Sequence, residues 1–454
     1  MVQDSRIESY SIVPNPGGDA VLLVTTGDAW GLPSHPHATA VEVNPRIKRE
    51  FGLDVTVATT FGEIFHDGGH EYLLAHENHG SAGELPRGAR WVWQEELDSL
   101  ALAVPGERKI LEEWFALGAG QDTAVLSPAA WARRGWFAEA ASWMTEAAAR
   151  HDLAVTGPVQ QFGVSPYSVT MRVPTSEGYL YFKAAPPEFG YEPSLVRAIA
   201  ERFPAHSPEV LEIDRERSWM LTRGVEPFWQ LEPTLEHVEL YERMVRTYAR
   251  MQQELIGQVG TLTAMGVPDR RPARLPVLLE ELLQDTATLC FEGDYALSAE
   301  EHAQLLAYVP RFAEQCAKLA EFALPNTLQN VDFWRDNIAV TNDGFVFLDW
   351  AESVVASPAH SMNMVLRDFV IHDVRDKDVL HHRMLDAYMG EWTAYESMER
   401  LHDAYRLSRP GSVLCRALSW RDSIASLGDP RRHAYLRPSV PGNVRRLLEF
   451  TDIA

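Results

Sequence analysis

Apolar residues in the first 125 positions fall into short runs, separated by turns rich in Gly, Pro and His. Such runs predict β-strands, here AVLLVTTG, LDVTVATTF, GHEYLLAHE and ARWVWQ. One helix is predicted among them. Asn44 would cap this helix, Pro45 would lie in its first turn, Ile47 and Phe51 would share a face, and Gly52 would end it. This part of the chain is therefore predicted to be an α+β unit.

The pattern changes further along the chain. Residues 128–151 have the period of an amphipathic helix, strand-like runs return between Gly157 and Leu221, and helical periods dominate from residue 234. Two short apolar strands within 328–350 interrupt the helical part. The predicted organisation is a domain over 1–126, a helical connector over 127–152, a β-rich lobe over 153–230 and a helical lobe over 231–454. The predicted fold class is α+β.

Composition supports an ordinary globular protein. Of the 454 residues, 46% are hydrophobic and 23% are charged, and no apolar run approaches the ~20 residues that span a bilayer. The N-terminal stretch lacks the basic leader and apolar segment of a signal peptide. The scattered cysteines, Cys290, Cys316 and Cys415, are odd in number and are expected to be reduced thiols. A cytoplasmic protein is expected.

The net charge of −23 narrows the choice of partners. An acidic surface repels phosphate backbones, which argues against nucleic acid or an anionic membrane as a partner. The same surface attracts cationic small molecules, although an acidic surface also simply keeps proteins in solution.

The stretch NVDFWRDNIAVTNDGFVFLDW, residues 330–350, contains the strongest candidate chemistry. Asp332 and Asn337 have the D-x-x-x-x-N spacing of a kinase catalytic loop, and Asp349 follows the next apolar run. Carboxylate and amide oxygens are ligands that magnesium prefers. Asp332 is thus a candidate base that orients a hydroxyl group, and Asn337 with Asp349 are candidate metal ligands. Two ordinary turns would also use Asp and Asn.

A lysine upstream fits the same chemistry. Lys183 lies in the middle of the strand pattern YLYFKAAP, where it is either an edge-strand charge or a phosphate ligand. Glu192 begins the next helix and is the natural ion-pair partner of that lysine. Each signal is weak alone. Their order along the chain, from strand lysine to helix glutamate to the D, N and D of 330–350, favours phosphoryl transfer.

With these motifs, residues 127–454 resemble the aminoglycoside phosphotransferase family, small-molecule relatives of protein kinases. The resemblance runs through WARRGWF, TGPVQQF, SVTMRVPT, GYLYFKAAPPEFGYEPSL, ERSWMLTRG, LQNVDFWRDNIAV and VFLDWAESVVASP. It implies a bilobal protein-kinase-like fold, ATP and Mg²⁺ as cofactors, and transfer of the γ-phosphate to a hydroxyl of a small molecule. The acidic surface would tolerate a cationic acceptor.

The resemblance also implies roles for individual residues. Lys183 would grip the α- and β-phosphates with Glu192 as its partner, and the adenine hinge would lie at Leu221 to Arg223. The loop 164–168 would cover the phosphates. Near the mouth, Glu352 would contact the acceptor.

Two positions depart from the family pattern. Asn330 stands where the family usually has a histidine two residues before the catalytic aspartate, a residue that mainly supports the loop. The phosphate-covering loop has a single glycine, Gly163, so Ser165, Ser168 and their amides would take over its contacts.

The first domain resembles a Nudix domain in its elements WGLP, KREFGLDV and RWVWQEELDSLAL. A Nudix helix carries a cluster of glutamates that bind magnesium, yet here only Glu50 matches. Arg46 and Arg49 stand where acids are expected, and two guanidiniums beside one carboxylate do not form a magnesium site. The domain is therefore predicted to be Nudix-like and non-catalytic.

Three hypotheses follow for function. The first is an ATP- and magnesium-dependent small-molecule kinase. The second is a catalytically inactive kinase-like protein that binds a nucleotide or ligand. The third, a Nudix pyrophosphohydrolase, is disfavoured by the arginines of the candidate Nudix helix.

Overall fold

The computed structural model describes residues 8–66, 69–81, 84–104, 106–289, 295–371, 376–425, 427 and 436–452. The chain divides into two compact units. The first unit consists of Met1–Pro186, Trp219–Leu221 and Ser423–Leu436, and the second of Pro187–Ser218, Thr222–Asp422 and Arg437–Ala454. These divisions fall at other positions than the domain boundaries predicted from the sequence, which remain predictions.

The first unit is rich in strands. Its elements are β1 (Ser9–Ile12), β2 (Ala20–Thr26), β3 (Ala29–Gly31), β4 (Ser34–His35), α1 (Ala40–Phe51), β5 (Leu53–His66), β6 (Gly69–Ser81), β7 (Ala89–Trp93), α2 (Glu107–Ala116), α3 (Trp136–Arg150), β8 (Gln160–Ser165), β9 (Ser168–Thr175) and β10 (Gly178–Ala184).

Two sheets form the N-terminal part of this unit. One has the strand order β4-β1-β6-β5 and the other has the order β3-β2-β7. Strand β2 carries the run AVLLV, in which the first four residues are buried, so both of its faces pack against other elements. The four predicted strands of this region are confirmed as β2, β5, β6 and β7.

Helix α1 begins a turn earlier than the sequence predicts. Its cap is Thr39 rather than Asn44, and Pro45 lies inside the helix. The reason is burial, because Ala40 and Val43 are both enclosed by the core and extend the apolar face towards the N-terminus. The predicted end is confirmed, since Gly52 adopts a left-handed conformation with φ 71°.

A third sheet in the first unit contains the neighbouring strands β8, β9, β10 and the start of β12 (Trp219–Arg223). Along β10, buried Leu180 and Phe182 alternate with half-buried residues, so one face of the strand points into the core. The ring of Phe182 packs edge-on against Trp143 and Trp219, with ring centroids 5.7 and 5.4 Å away. Helix α3, which carries Trp143, is thereby fixed against the sheet.

The remaining elements are mostly helical. They are α4 (Glu192–Arg202), β11 (Val210–Asp214), α5 (Val238–Glu254), α6 (Val259–Ala264), α7 (Leu275–Gln284), α8 (Ala299–Ala320), β13 (Thr327–Asn330), β14 (Ile338–Thr341), β15 (Gly344–Phe347), β16 (Ser353–Ala356), α9 (Met362–Ile371), α10 (Lys377–Gly390), α11 (Met398–Ala425) and α12 (Ser439–Arg445). Helix α8 begins with a capping box, in which Ser298 and Glu301 each bond to the other's backbone amide.

The strands embedded in the helical part are four rather than two. Strands β14 and β15 form a hairpin, while β13 pairs antiparallel with β16. All residues of β13 and β16 are buried, so these strands are held among helices on both faces. The pairing of β13 with β16 holds the two ends of the intervening segment, residues 331–352, next to each other.

The α+β class predicted from the sequence is confirmed, with a strand-rich N-terminal region and a helical C-terminal region. In the described part of the chain, no helix has the length and apolar character needed to cross a membrane. Cys316 and Cys415 are buried free thiols, and Cys290 lies outside the described residues.

Candidate functional site

Asp332 lies just after β13, in a loop that one side chain organises. The Asn330 carboxamide oxygen accepts the backbone N–H of Asp332 at 2.9 Å. The Asn330 carboxamide nitrogen donates to the carbonyl of Asp349 at 2.8 Å. Asn330 therefore joins the segment of the candidate base to the segment of a candidate metal ligand. The supporting role that the family gives to histidine is taken here by an amide.

Asn337 lies close to the same carboxylate. Its Nδ2 donates to the Asp332 backbone carbonyl at 2.9 Å and to Asp332 Oδ2 at 3.1 Å. The backbone N–H of Leu348 donates to the Asn337 carbonyl at 2.8 Å, which brings Asn337 beside the residue that precedes Asp349. The structure thus brings Asp332, Asn337 and Asp349 together, as the spacing of the sequence predicts.

Arg416 is a member of this site that sequence reasoning missed. Its guanidinium lies 3.0 Å from Asp332 Oδ1 and also pairs with the carboxylate of Glu352. Arg416 belongs to α11, 84 residues beyond Asp332, so no local spacing reveals it. The available signal was a single arginine within the apolar run VLCRAL of a helix. Glu352, which is predicted to contact the acceptor, pairs with Arg416, and its contact with an acceptor remains a prediction.

The electrostatic environment raises the pKa of Asp332 to about 7. Burial is the largest cause, because an enclosed carboxylate loses hydration of its charged form, and the negative charge of Glu352 acts in the same direction. The cation of Arg416 opposes this rise, as does the hydrogen bond from Asn337. A carboxylate with a pKa near 7 can accept and release a proton at neutral pH, which suits a general base.

The candidate metal ligands fit a divalent cation. Asn337 uses only its nitrogen towards Asp332, so its Oδ1 is available as a ligand. The backbone of Asp349 has a left-handed φ of 51°, and its side chain is exposed. Among the described residues there is no cluster of three or more His, Cys, Asp or Glu side chains that could hold a metal ion. An ion here would therefore take its remaining oxygens from phosphates and water, as magnesium commonly does.

Glu192 is the first residue of α4 and is almost completely buried. The residue before it, Tyr191, donates its hydroxyl to the backbone carbonyls of Ala351 and Ser353, just beyond Asp349. The start of α4 is therefore attached to the segment that carries a candidate metal ligand. Sequence reasoning missed Tyr191, because a tyrosine beside a helix start carries no distinctive spacing.

The other predicted nucleotide ligands lie in the sheet of the first unit. Lys183 is in β10 opposite Thr170 of β9. Ser165 and Ser168 flank the tight turn between β8 and β9, where their hydroxyl oxygens are 3.0 Å apart. The predicted phosphate-covering loop is thus the tip of a hairpin whose two serines bond to each other.

The predicted adenine hinge is part of β12. Leu221 is completely buried, and Arg223 pairs with Glu209 through Nε and a carboxylate oxygen 2.8 Å apart. The chain passes from the first unit to the second between Leu221 and Thr222. The contact of this segment with adenine remains a prediction.

Residues 184–401 match the profile of the phosphotransferase enzyme family. The match begins one residue after Lys183 and contains Glu192, Asp332, Asn337 and Asp349. The resemblance found in the sequence is confirmed, and phosphoryl transfer is the chemistry that phosphotransferases perform. The Nudix-like character of the first domain remains a prediction.

Solved structures of several small-molecule kinases and phosphotransferases are similar to this chain. A choline/ethanolamine kinase family protein from Mesorhizobium loti has 18% identity and a TM-score of 0.47, covering 70% of this chain and 95% of its own. A choline kinase from Streptococcus pneumoniae has 10% identity and a TM-score of 0.43, covering 69% and 99%. A macrolide 2′-phosphotransferase type I has 13% identity and a TM-score of 0.44, covering 66% and 96%.

No curated protein matches the sequence. TM-scores below 0.5 do not establish a common fold by themselves, so the family assignment depends on the match of residues 184–401.

Proposed function

We propose that this phosphotransferase moves the γ-phosphate of ATP to a hydroxyl group of a small molecule, with Mg²⁺ as the metal. The observation that supports this proposal is the arrangement around Asp332. Its carboxylate lies within 3.1 Å of the Asn337 amide nitrogen, and its loop is joined to Asp349 through Asn330. A base, an amide ligand and a carboxylate ligand are the protein groups that phosphoryl transfer requires near the reacting oxygen.

In the proposed reaction, the acceptor oxygen attacks the γ-phosphorus, the bond from that phosphorus to the β–γ bridging oxygen breaks, and ADP leaves. Asp332 takes the proton of the hydroxyl group. A bound divalent cation supplies positive charge for the phosphate oxygens, and Asn337 Oδ1 and the Asp349 carboxylate would hold it. Lys183 would bind the α- and β-phosphates with Glu192 as its partner.

The hairpin tip with Ser165 and Ser168 would cover the phosphates, and Leu221 to Arg223 would contact the adenine. These nucleotide contacts are proposed from the family resemblance.

Amide substitutions at the two aspartates test the proposed roles, because the roles predict different failures. Asp332→Asn removes the proton acceptor, so turnover should fall roughly 10²- to 10⁴-fold while ATP binding changes little. Asp349→Asn removes a negative ligand, so its loss should be partly relieved by raising the Mg²⁺ concentration. ATP consumption against a panel of hydroxyl compounds identifies the acceptor. Equal rescue of both variants by metal would contradict the assignment.

The ion pair between Asp332 and Arg416 also supports a second candidate, a catalytically inactive kinase-like protein that binds a nucleotide. An aspartate held by a guanidinium is less available to a hydroxyl group. The two candidates differ in turnover. Isothermal titration would detect ATP binding in both cases, whereas ADP release on the panel would occur only with the enzyme.

A further inference from the structure

A cavity in the second unit lies directly beside the candidate catalytic loop. It encloses about 560 Å³, counting its open mouth, and Asn330 and Val331 form part of its wall. These two residues immediately precede Asp332 in the chain. A third lining residue, Arg416, lies 3.0 Å from Asp332 Oδ1, so one side chain of the cavity wall contacts the candidate base directly.

Three arginines line this cavity, namely Arg367 of α9, Arg416 of α11 and Arg446 after α12. No aspartate or glutamate is among the described residues that line it. We call this cavity the arginine pocket. Its lining is strongly cationic, in contrast to the acidic chain as a whole.

Only part of this positive charge is offset by protein acids. Arg416 pairs with Asp332 and Glu352, and Arg446 has a loose partner in Glu449 at 3.9 Å. Arg367 has no hydrogen bond or ion pair with any residue that the structure describes. Burial and the charges of Arg446 and Arg416 lower the pKa of Arg367, and Glu449 acts in the opposite direction. An anion beside Arg367 would relieve this repulsion.

Neutral hydrogen-bond donors in the same wall also lack partners. His360 is 7% exposed, and neither of its ring nitrogens has a hydrogen-bond partner within the described structure. Burial lowers the pKa of His360 to about 4, so the neutral ring offers one N–H group at neutral pH. Gln329 uses its amide oxygen to accept from Gln252 and Ser361, while its amide nitrogen is buried without a partner in the described structure.

Buried donors without partners are costly, and native proteins usually satisfy them with protein, water or ligand atoms. Arg367, His360 and Gln329 all belong to the wall of this cavity. A ligand with several acceptor oxygens and negative charge would satisfy them together. A cationic acceptor would meet three guanidiniums instead. The net charge of the whole chain, which favours a cationic acceptor, is therefore a poor guide to this cavity.

We propose that the arginine pocket binds an acceptor that carries an anionic group, a carboxylate or a phosphate, together with the hydroxyl that is phosphorylated. This inference rests on the proposed function, because it assigns the substrate class of the same site. Arg367, His360 and Gln329 bind the anionic group, and the hydroxyl is directed to Asp332.

Binding of an anion to the arginine pocket can be tested without nucleotide. Inorganic phosphate and a small hydroxycarboxylate such as glycerate are titrated calorimetrically into the full-length protein, with choline as a cationic comparison. At least one of the two anions should bind to the protein, and choline should not bind. Arg367→Met should weaken anion binding about 10-fold or more, as expected for loss of a charge-assisted hydrogen bond. Arg367→Lys keeps the charge and should retain an intermediate affinity.

Two control variants locate the binding. Arg215 is an exposed arginine of the second unit, and Arg215→Met should leave anion affinity unchanged. Lys183→Ala tests whether the phosphate binds at the proposed nucleotide site instead, because Lys183 is proposed to bind nucleotide phosphates. Loss of phosphate binding in Lys183→Ala but not in Arg367→Met would overturn the inference.

Kinetic assays distinguish this inference from the proposed function. With ATP present, the KM for an anionic acceptor should rise in Arg367→Met while the KM for ATP stays the same. Turnover of choline-like acceptors alone would overturn the anionic class and leave the proposed kinase activity intact. Anion binding that depends on Arg367, without turnover of any acceptor, would support the arginine pocket and contradict the kinase activity.

Discussion

The carboxylate of Asp332 is subject to opposing charges from single residues. Glu352 destabilises its negative charge and Arg416 stabilises it, while Glu352 and Arg416 also pair with each other. The charge state of the candidate base is therefore a local balance that one substitution can shift.

This balance predicts opposite pKa changes. Glu352→Gln removes a repelling charge, so the pKa of Asp332 should fall below its value of about 7 in the nucleotide-free protein. Arg416→Met removes the stabilising cation, so the same pKa should rise. Because the deprotonated form accepts the proton, activity should appear at lower pH in the first variant and at higher pH in the second. Carboxyl NMR, with Asp332→Asn to assign the signal, measures both shifts. Movement in the same direction would contradict the described geometry.

The residues of this site differ in how far the sequence could predict them. Asp332, Asn337 and Asp349 lie within 18 positions of one another, and their spacing is fixed by two short strands and the turns between them. Asn330 could be identified only as a departure from a family pattern, since its two hydrogen bonds depend on the path of β16 and the preceding loop. Arg416 reaches Asp332 from α11 through tertiary packing, which local periodicity does not encode.

At the scale of single elements, helix α11 contains a glycine, Gly411, whose neighbours leave no room for a side chain. A Cβ added at Gly411 would lie 2.8 Å from His360 Nε2 and 2.9 Å from a methyl carbon of Leu275. Glycine is otherwise unfavourable within a helix by about 1 kcal/mol relative to alanine. Gly411 is therefore explained by its contact with the wall of the arginine pocket.

Gly411→Ala should lower the free energy of unfolding by about 1–3 kcal/mol, because the added methyl group overpacks a closed region. Gly442 in α12 is the matched control, since a Cβ there meets no atom within 4 Å. Gly442→Ala should raise stability by up to about 1 kcal/mol through helix propensity. Denaturant unfolding of the two variants tests this contrast, and equal effects would show that the space around Gly411 is not limiting.

Elements with a clear hydrophobic period were the easiest to predict from the sequence. The strands of residues 157–221 and helices α4, α5 and α8 all agree with their predicted positions. The embedded strands were harder, because β13 and β16 are only four residues each and pair across the segment that contains the hairpin. The predicted start of α1 was wrong, because burial of Ala40 and Val43 outweighed the local cap signal at Asn44.

At the scale of the whole molecule, one side chain ties the N-terminal sheets to the sheet of Lys183. Gln161 of β8 accepts the backbone N–H of Val57 at 2.7 Å and donates to the Val57 carbonyl at 2.8 Å. The strand pairing of β5 with β6 is irregular between Val57 and Thr59. The backbone groups of Val57 therefore take a glutamine from another sheet as their partner, and both sheets belong to the first unit.

Gln161→Leu should lower the free energy of unfolding by roughly 2–4 kcal/mol, because two buried backbone groups lose their partner. Gln160, its half-buried neighbour, bonds to Arg172 at 3.0 Å, and Gln160→Leu should cost less than about 1 kcal/mol. Thermal and denaturant unfolding provide the comparison. Similar losses in both variants would mean that the bond to Val57 adds nothing beyond a surface contact.

The order of segments in the two units has a consequence for cleavage of the chain. The first unit extends to Leu436, while the second already begins at Pro187. A single peptide-bond break between 187 and 436 therefore interrupts the covalent continuity of both units, and a break elsewhere interrupts one of them. No single cut can therefore separate the two units from each other as complete fragments.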